Sequence, residues 1–572
     1  MRICSMQIQK FRSIYDATIS FKQILALVGA NNAGKSHVLR ALNAFFNFSA
    51  ERDSFLNGSH IYSKKSRPRI TITFDNIVPE DEIQEQYIFN GKLVIKFTYR
   101  WDRKNPSYEV ITGTDKKAID LDTFKHLTSR FIYVYIPIIR DYDAAFSLKG
   151  GIAYQLLQQI FHQQTVYRNN LQPVADRLIS KVEQSVYKPA LEKLKRYYPF
   201  INGQDFKMRA HNADIIDLIL RNVTLMLLED SQENSIDNCG SGIQSAVFFA
   251  ITMALSITDH SNYLVGIEEP ELNMHPQAQR QLIEALKETS KYPNSQFILT
   301  THSTVIIDRL GHEAIALCRK EKGATRDIVT TIKQTSEDFL TKYKLEEERY
   351  YSFFDFKNSD FFFSKYIIIT ESVNDCKVVQ HLLELSNIDI ESLGISFIPS
   401  EGAQSIKYPY AIANELGIPF VCIMDRDVFQ PYQHDKRELS LDINGIPKYK
   451  NEIKIESPLL ELIDDNDKTL ILDALINNKY KKAIALLDKY HVITMRYAFE
   501  VDLVTCPSYC ESFYSILNVS TENQNMQYLL KSMGNVIKKY VNLNKAIDMQ
   551  GTKNLPASYR QIINHVKNII RL

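Results

Sequence analysis

Residues 29–36, Gly29-Ala30-Asn31-Asn32-Ala33-Gly34-Lys35-Ser36, fit the phosphate-loop pattern G-x-x-x-x-G-K-[ST] at every fixed position. The stretch follows an apolar run, Ile24 to Val28, that reads as a buried strand. It opens a run from Ser36 to Phe46 in which Val38, Leu39, Leu42 and Phe45 recur at helical spacing. Such a loop works only between a strand and a helix N-terminus, where backbone N–H groups and the helix dipole face an anion. The pattern therefore requires an α/β sheet with the loop at a strand's carboxyl end. Asn31, Asn32 and Gly34 line the loop. Lys35 reaches the β- and γ-phosphates, and the Ser36 hydroxyl ligates Mg²⁺.

Three later segments specify the kind of nucleotidase. Tyr263 to Ile267 is a buried-strand run ending in Glu268-Glu269-Pro270-Glu271. Carboxylates at that end of a strand sit where ligands bind in open α/β sheets. Glu268 is expected to hold Mg²⁺ through water and Glu269 to orient or deprotonate the attacking water. Gln296 to Thr300 is a second strand, and His302 just beyond it is placed to contact the γ-phosphate. Asn238-Cys239-Gly240-Ser241-Gly242 precedes a long apolar helix, so Ser241 and Gly242 offer backbone N–H groups at a helix start.

A second chemistry begins at Lys365. The strand Tyr366 to Thr370 ends in Glu371, with Asp375 four residues on. The strand Ile418 to Met424 ends in Asp425-Arg426-Asp427. A spacing of two puts Asp425 and Asp427 on one side of an extended chain. Four converging carboxylates repel unless divalent cations neutralise them, and oxygen-only donors favour Mg²⁺, with Mn²⁺ as the alternative. Such ions activate water and stabilise the leaving oxygen in phosphodiester cleavage. A CheY-like domain with acidic strand ends is the non-catalytic alternative.

The order phosphate loop, Gly-Ser-Gly helix, double-Glu strand and strand-His resembles the ABC-type ATPases of the SMC/RecF branch, as does Lys10-Phe11-Arg12-Ser13 ahead of the loop. That resemblance implies a head-to-head homodimer, or a higher homo-oligomer, in which Ser241 and Gly242 cap ATP bound by the other protomer. Glu268 departs from the Asp usual at its position. Glu371, Asp375, Asp425 and Asp427 resemble the Toprim motif, with Ser372 in place of the usual Gly. An ABC ATPase followed by Toprim looks like the OLD (overcoming lysogenization defect) family of ATP-dependent nucleases, and the likeness spans nearly the whole chain. It implies a late acidic motif, matched by Phe499 to Leu503, with Val504 where a Glu often stands, so that either Glu500 or Asp502 serves as the further metal ligand or one metal is weakly held. It also implies a C-terminal lysine, matched by Lys553, to stabilise charge on the cleaved phosphate.

The chain has 572 residues and a net charge of +1, with 45% hydrophobic residues, which suits a globular protein of several domains. No apolar run reaches the ~20 residues of a membrane span, so no membrane partner is expected. Seven scattered cysteines, with Cys506 and Cys510 lacking a second pair at zinc spacing, fit a reducing, cytoplasmic setting. From Thr521 onward eight Lys and Arg residues face only Glu522 and Asp548, a basic surface suited to phosphate backbone.

The expected organisation is α/β throughout. A first ATPase segment (1–149) precedes a helical insertion for dimerisation or DNA gripping (150–205), and the ATPase resumes over 206–334. A linker (335–364) leads to a Toprim domain (365–572) carrying a helical insertion over 431–490. The resulting expectation is an ATP-regulated, metal-dependent DNA endonuclease or nickase acting on double-stranded DNA. The family adds a role in anti-phage defence with a co-encoded partner. The rival is an ATP-dependent nucleic-acid clamp or sensor whose Toprim serves as a scaffold for a separate effector.

Overall fold

The computed structural model describes residues 1–63, 66–138, 226–229, 232–236, 239–258, 262–323, 328–354, 359–434, 436–454 and 457–570, with short pieces between 174 and 189. The expected insertion over 150–205 lies almost wholly outside the described residues. The chain divides into two compact units, 1–310 with 318–332 and 311–317 with 333–572.

The first unit is built on a mixed sheet. Its strands run in the order Asp115–Ile119, Ser107–Thr112, Lys92–Thr98, Arg69–Asp75, Arg2–Phe11, Ile14–Ser20, Val329–Lys333, Ile315–Glu321, Ile24–Val28, Ser295–Thr301, Asn262–Glu268 and Phe131–Ile136. The last four are mutually parallel, and three of them are buried at every position. Parallel strands covered on both faces need such continuous apolar runs. The antiparallel Arg69–Asp75 strand alternates instead, with Ile70, Ile72 and Phe74 inward. Val28 pairs with Thr301 and Glu268 with Thr300, so the carboxyl ends of three strands lie side by side. That register brings the phosphate loop, the double Glu and His302 to one edge.

The second unit centres on a parallel sheet ordered Ile395–Pro399, Tyr366–Thr370, Phe420–Met424, Val492–Thr494. Thr370 pairs with Ile423, which sets Glu371 beside Asp425. The helices Val373–Leu385, Pro507–Ile516, Tyr540–Gln550 and Ala557–Ile570 pack one apolar core through Val379, Leu382, Phe513, Ile547, Tyr559 and Ile562. The described residues of the expected linker belong to this unit. Tyr350, Phe354, Phe361 and Phe362 enclose His312, whose Nδ1 hydrogen-bonds the Tyr350 hydroxyl. Asn414 donates to the Tyr343 hydroxyl at 2.8 Å.

Among the described residues, the segment expected to be helical over 431–490 is α-helical only at Asp465–Ile476 and Tyr480–Leu487, with short 3-10 turns at Arg437–Ser440, Leu460–Leu462 and Asp488–Tyr490. Its first part is an extended arm. Tyr432 and Tyr449 pair across it and stack at 5.3 Å, and Asp442 to Gly445 make its turn. Pro431, Pro447 and the Asn444-Gly445 pair disfavour a helix there. Among the described residues no helix is long and apolar enough to cross a membrane. All seven cysteines are free thiols.

Candidate functional site

Gly34, at φ +103°, caps the N-terminus of the Lys35–Phe46 helix. A Cβ on Gly34 would stand 2.5 Å from Thr330 Oγ1, and one on Gly29 would stand 2.1 Å from the Cys318 carbonyl oxygen. Both positions exclude any side chain, and both lie in the left-handed half of backbone space, where glycine alone is free. Thr330 Oγ1 donates to the Ala33 carbonyl at 2.9 Å and lies 2.6 Å from Ser13 Oγ, which in turn meets His37 Nδ1 at 2.8 Å. The loop is thereby clamped to the Val329–Lys333 strand. Asn31 and Asn32 are exposed on its outer side, and Ser36 is half-buried in the first helical turn.

Lys35 is buried. Its Nζ donates to the carbonyls of Gly29 at 2.9 Å and Ala30 at 3.1 Å, and to His302 Nε2 at 2.7 Å. Lysine has donors only, so Nε2 accepts and the neutral ring carries its proton on Nδ1. Burial, and then the charge of Lys35, lowers the His302 pKa; burial lowers that of Lys35. Glu269 has φ +42°, and its N–H donates to the Thr300 carbonyl at 3.0 Å and Thr300 Oγ1 at 3.1 Å. This turns its carboxylate to 3.9 Å from His302 Nε2. Glu271 accepts from the His302 N–H at 2.6 Å and from Thr301 Oγ1 at 3.0 Å, while its other oxygen is buried without a hydrogen-bond partner. Burial raises its pKa.

Lys35, Glu269, Glu271 and His302 therefore form one group, in which Glu271 positions the backbone of His302. Sequence reasoning gave Glu271 no role, although it lies two residues beyond Glu269. Glu268, at the strand end, is buried and accepts from the Ile138 N–H at 3.3 Å. Ser241 and Gly242 open the Ser241–Thr258 helix, where a Cβ on Gly242 would stand 2.8 Å from the Asn273 carbonyl in the loop after Glu271.

In the second unit Glu371, Asp425 and Asp427 each present an oxygen within 4.8 Å of the others, the one such cluster among the described residues. Glu371 Oε2 and Asp425 Oδ1 are buried with no hydrogen-bond partner. Orphaned acceptors in an all-oxygen set fit a hard divalent cation. The Glu371 carboxyl is pushed up to about 7 by burial and then by Asp427 and Asp375. Burial, followed by Asp375 and Glu500, lifts Asp425 well above the carboxylate range. Asp375 rises to about 6 through burial, against the hydrogen bond from Ser372 and the charge of Lys538. It also completes a reciprocal cap of the Val373–Leu385 helix, accepting from Ser372 Oγ at 2.7 Å and Ser372 N–H at 3.0 Å.

The late acidic motif forms the buried helix Phe499–Val504, and its two acids face different partners. Glu500 accepts from Arg437 Nη2 at 2.5 Å. Asp502 accepts from the N–H groups of Arg496 and Tyr497, both at 2.9 Å, and from Ser558 Oγ at 2.6 Å. Asp502 thus ties the Met495–Tyr497 turn to the C-terminal helix. Asp502→Ala strands three donors. It should lower the stability of the second unit by roughly 2–4 kcal/mol, measured by urea unfolding, and leave Mn²⁺ affinity of the folded fraction unchanged.

Lys553 is exposed in the turn between the last two helices. The lysines whose charges act on the acidic cluster are Lys454 and Lys538, and Lys454 Nζ also donates to the Asp427 carbonyl at 3.0 Å. Neither these two nor Arg437 carried a spacing signal, since folding alone brings them to the strand ends. Lys531, Lys538, Lys539, Lys545, Lys553 and Arg560 are all exposed.

The acidic cluster implies a pH-dependent response to cations. Without a cation, the folded protein holds a proton on Glu371 up to about pH 7, whereas an unfolded glutamate releases it near 4.5. The folded state then binds more protons across that window, so this site's contribution to stability falls as pH rises. A bound cation replaces those protons. Thermal stabilisation by Mn²⁺ should therefore grow from about pH 5 to about pH 7.5. Equal shifts at both pH values would contradict the assigned cluster.

Comparison with known proteins places both sites in context. The AAA domain model of the AbiEii toxin, Type IV TA system, matches residues 24–308. The Overcoming lysogenization defect protein-like TOPRIM domain matches residues 362–427, the span holding Glu371, Asp375, Asp425 and Asp427. The OLD nuclease of Thermus scotoductus is 24% identical over 455 residues, covering 74% of this chain and 82% of that protein. The Old nuclease of Escherichia phage P2 is 23% identical, covering 75% of this chain and 77% of that protein. Among solved structures, the SMC head domain from Thermotoga maritima covers 59% of this chain and 100% of its own, at 14% identity and a TM-score of 0.31. With its phosphate loop in one α/β unit and its acidic strand ends in a second, the chain carries an AAA-type ATPase domain followed by an OLD-like Toprim domain and is similar over about three quarters of its length to the OLD nucleases.

Proposed function

We propose that this protein is an ATP-regulated, divalent-metal-dependent endonuclease or nickase of double-stranded DNA, acting as a homodimer or larger homo-oligomer in defence against phage. The observation that carries this reading is the Glu371, Asp425 and Asp427 cluster with its orphaned oxygens, in a chain that also has a complete phosphate loop. The names of the two OLD nucleases, and of Endonuclease GajA of Bacillus cereus, support it.

Glu371, Asp425 and Asp427, with Asp375 beside them, would hold Mg²⁺ or Mn²⁺, which supplies Lewis acidity and an activated water. Lys454 and Lys538 bring positive charge to the same place, and the exposed lysines of the C-terminal helices gather the phosphate backbone. In the first unit Lys35 and Ser36 bind the nucleotide phosphates and Mg²⁺. Glu269 orients water with His302 beside it, Glu268 holds Mg²⁺ through water, and Ser241 and Gly242 approach the nucleotide of a second protomer.

The direct test is nicking of supercoiled plasmid by the purified protein with Mg²⁺ or Mn²⁺. Metal-dependent nicking is expected. DNA binding without nicking under any metal would favour the clamp instead. For the ATP site, Lys35→Ala removes a charged phosphate donor from a loop held by other contacts. ATP affinity should fall about 10–100-fold with the melting temperature nearly unchanged. Unaltered affinity in that variant would remove the loop's assignment.

A further inference from the structure

Glu500 follows a turn that is fastened to the Asp425 strand end, where Met495 N–H donates to the Met424 carbonyl at 2.7 Å and Arg426 N–H to the Tyr497 carbonyl at 3.0 Å, and its charge acts on both Asp375 and Asp425. It is 2% exposed, so its charge has to be met from within the protein. The group that meets it is the Arg437 guanidinium, at 2.5 Å. Arg437 comes from the arm that follows Asp427, and that arm is held in place. Gln433 N–H donates to the Lys448 carbonyl and Lys450 N–H to the Pro431 carbonyl, both at 2.9 Å, and the Tyr432–Tyr449 stack closes the pair. Ser440, at the end of the Arg437–Ser440 turn, is buried and fastens it to His434 and Lys436. Val504, one helical turn beyond Glu500 and fully buried, offers no oxygen on that side of the Phe499–Val504 helix.

We propose that Arg437 occupies the place of a second metal ion, so that the acidic centre binds one divalent cation and the guanidinium supplies the second positive group at the scissile phosphate. This rests on the nuclease reading above. A second ion at Glu500 would need more oxygens than that helix provides, whereas an arginine satisfies Glu500 with one hydrogen bond and keeps further N–H donors for a phosphate. The charges agree. Glu371, Asp375, Asp425, Asp427 and Glu500 are balanced by one divalent ion together with Arg437, Lys454 and Lys538. Arg437 acts in cleavage as an electrostatic clamp on the phosphate, and it releases no proton there.

The experiment counts Mn²⁺ bound to full-length, nucleotide-free protein by electron paramagnetic resonance. The count at the acidic centre is taken as the difference from an Asp425→Ala/Asp427→Ala background. Wild type should bind one Mn²⁺ at this centre, and Glu500→Gln should still bind one. Arg437→Met frees the Glu500 carboxylate. It should shift cleavage to higher Mn²⁺, with plasmid nicking lowered at least tenfold at limiting metal and partly restored as metal rises. Two Mn²⁺ in wild type, a count that falls in Glu500→Gln, or unchanged cleavage in a folded Arg437→Met would each overturn the assignment. Cleavage that persists in the Asp425→Ala/Asp427→Ala protein would instead defeat the underlying reading that this acidic centre cuts DNA, whatever the Mn²⁺ count.

Discussion

Replacing Asp425 and Asp427 together by alanine should reduce DNA cleavage by on the order of a thousandfold or more, while ATP hydrolysis stays within about twofold of wild type. Two of the three oxygens that converge within 4.8 Å leave with those side chains, so the remaining Glu371 cannot retain a cation alone. Loss of these acids also relieves mutual repulsion, since Asp427 raises the pKa of both Glu371 and Asp425. The double variant should accordingly fold at least as well as wild type without metal, which separates lost chemistry from lost structure. Thermal melting in EDTA and plasmid nicking in Mn²⁺, measured on the same preparation, check both halves. A variant that still nicks would move the cutting site elsewhere in the chain.

Glu269→Gln should bind ATP normally and hydrolyse it about 100- to 10,000-fold more slowly, the usual range for a positioned acid or base. The side chain is aimed by a backbone that takes φ +42° and is held by two hydrogen bonds from its N–H to Thr300. Glutamine keeps the shape and that backbone, so only the carboxylate is lost. The slowed protein should also accumulate as an ATP-bound dimer, visible by size exclusion with light scattering. Glu268→Gln, one residue earlier and turned toward the Ile138 N–H, should instead weaken the Mg²⁺ dependence of binding. If hydrolysis survives in Glu269→Gln and fails in Glu268→Gln, the two roles are exchanged.

How far these sites could be read in advance follows from where their information resides. The phosphate loop, the Glu268-Glu269 pair and Asp425-Arg426-Asp427 each sit at the end of a fully buried parallel strand. Such strands appear in sequence as unbroken apolar runs with the chemistry immediately after them. The Arg437–Glu500 pair joins residues 63 apart, and Asp502 meets Ser558 across 56 residues. No periodicity encodes either encounter, because each depends on how an arm or a final helix packs. The helical insertion expected over 431–490 is α-helical only from Asp465 on. Pro431, Pro447 and Asn444-Gly445 instead favoured an extended arm with a turn, and that arm delivers Arg437.

The clamp on the phosphate loop limits how this protein can be dissected. The matched AAA region ends at residue 308, and a fragment cut there would look like a tidy module. It would discard the Cys318 carbonyl against which Gly29 is moulded and Thr330, which grips the Ala33 carbonyl and Ser13. It would also expose the inner edges of the Ile14–Ser20 and Ile24–Val28 strands, which those later strands separate. An ATPase fragment must run to at least residue 332 to keep its loop in register, and shorter versions should aggregate through the bared edges.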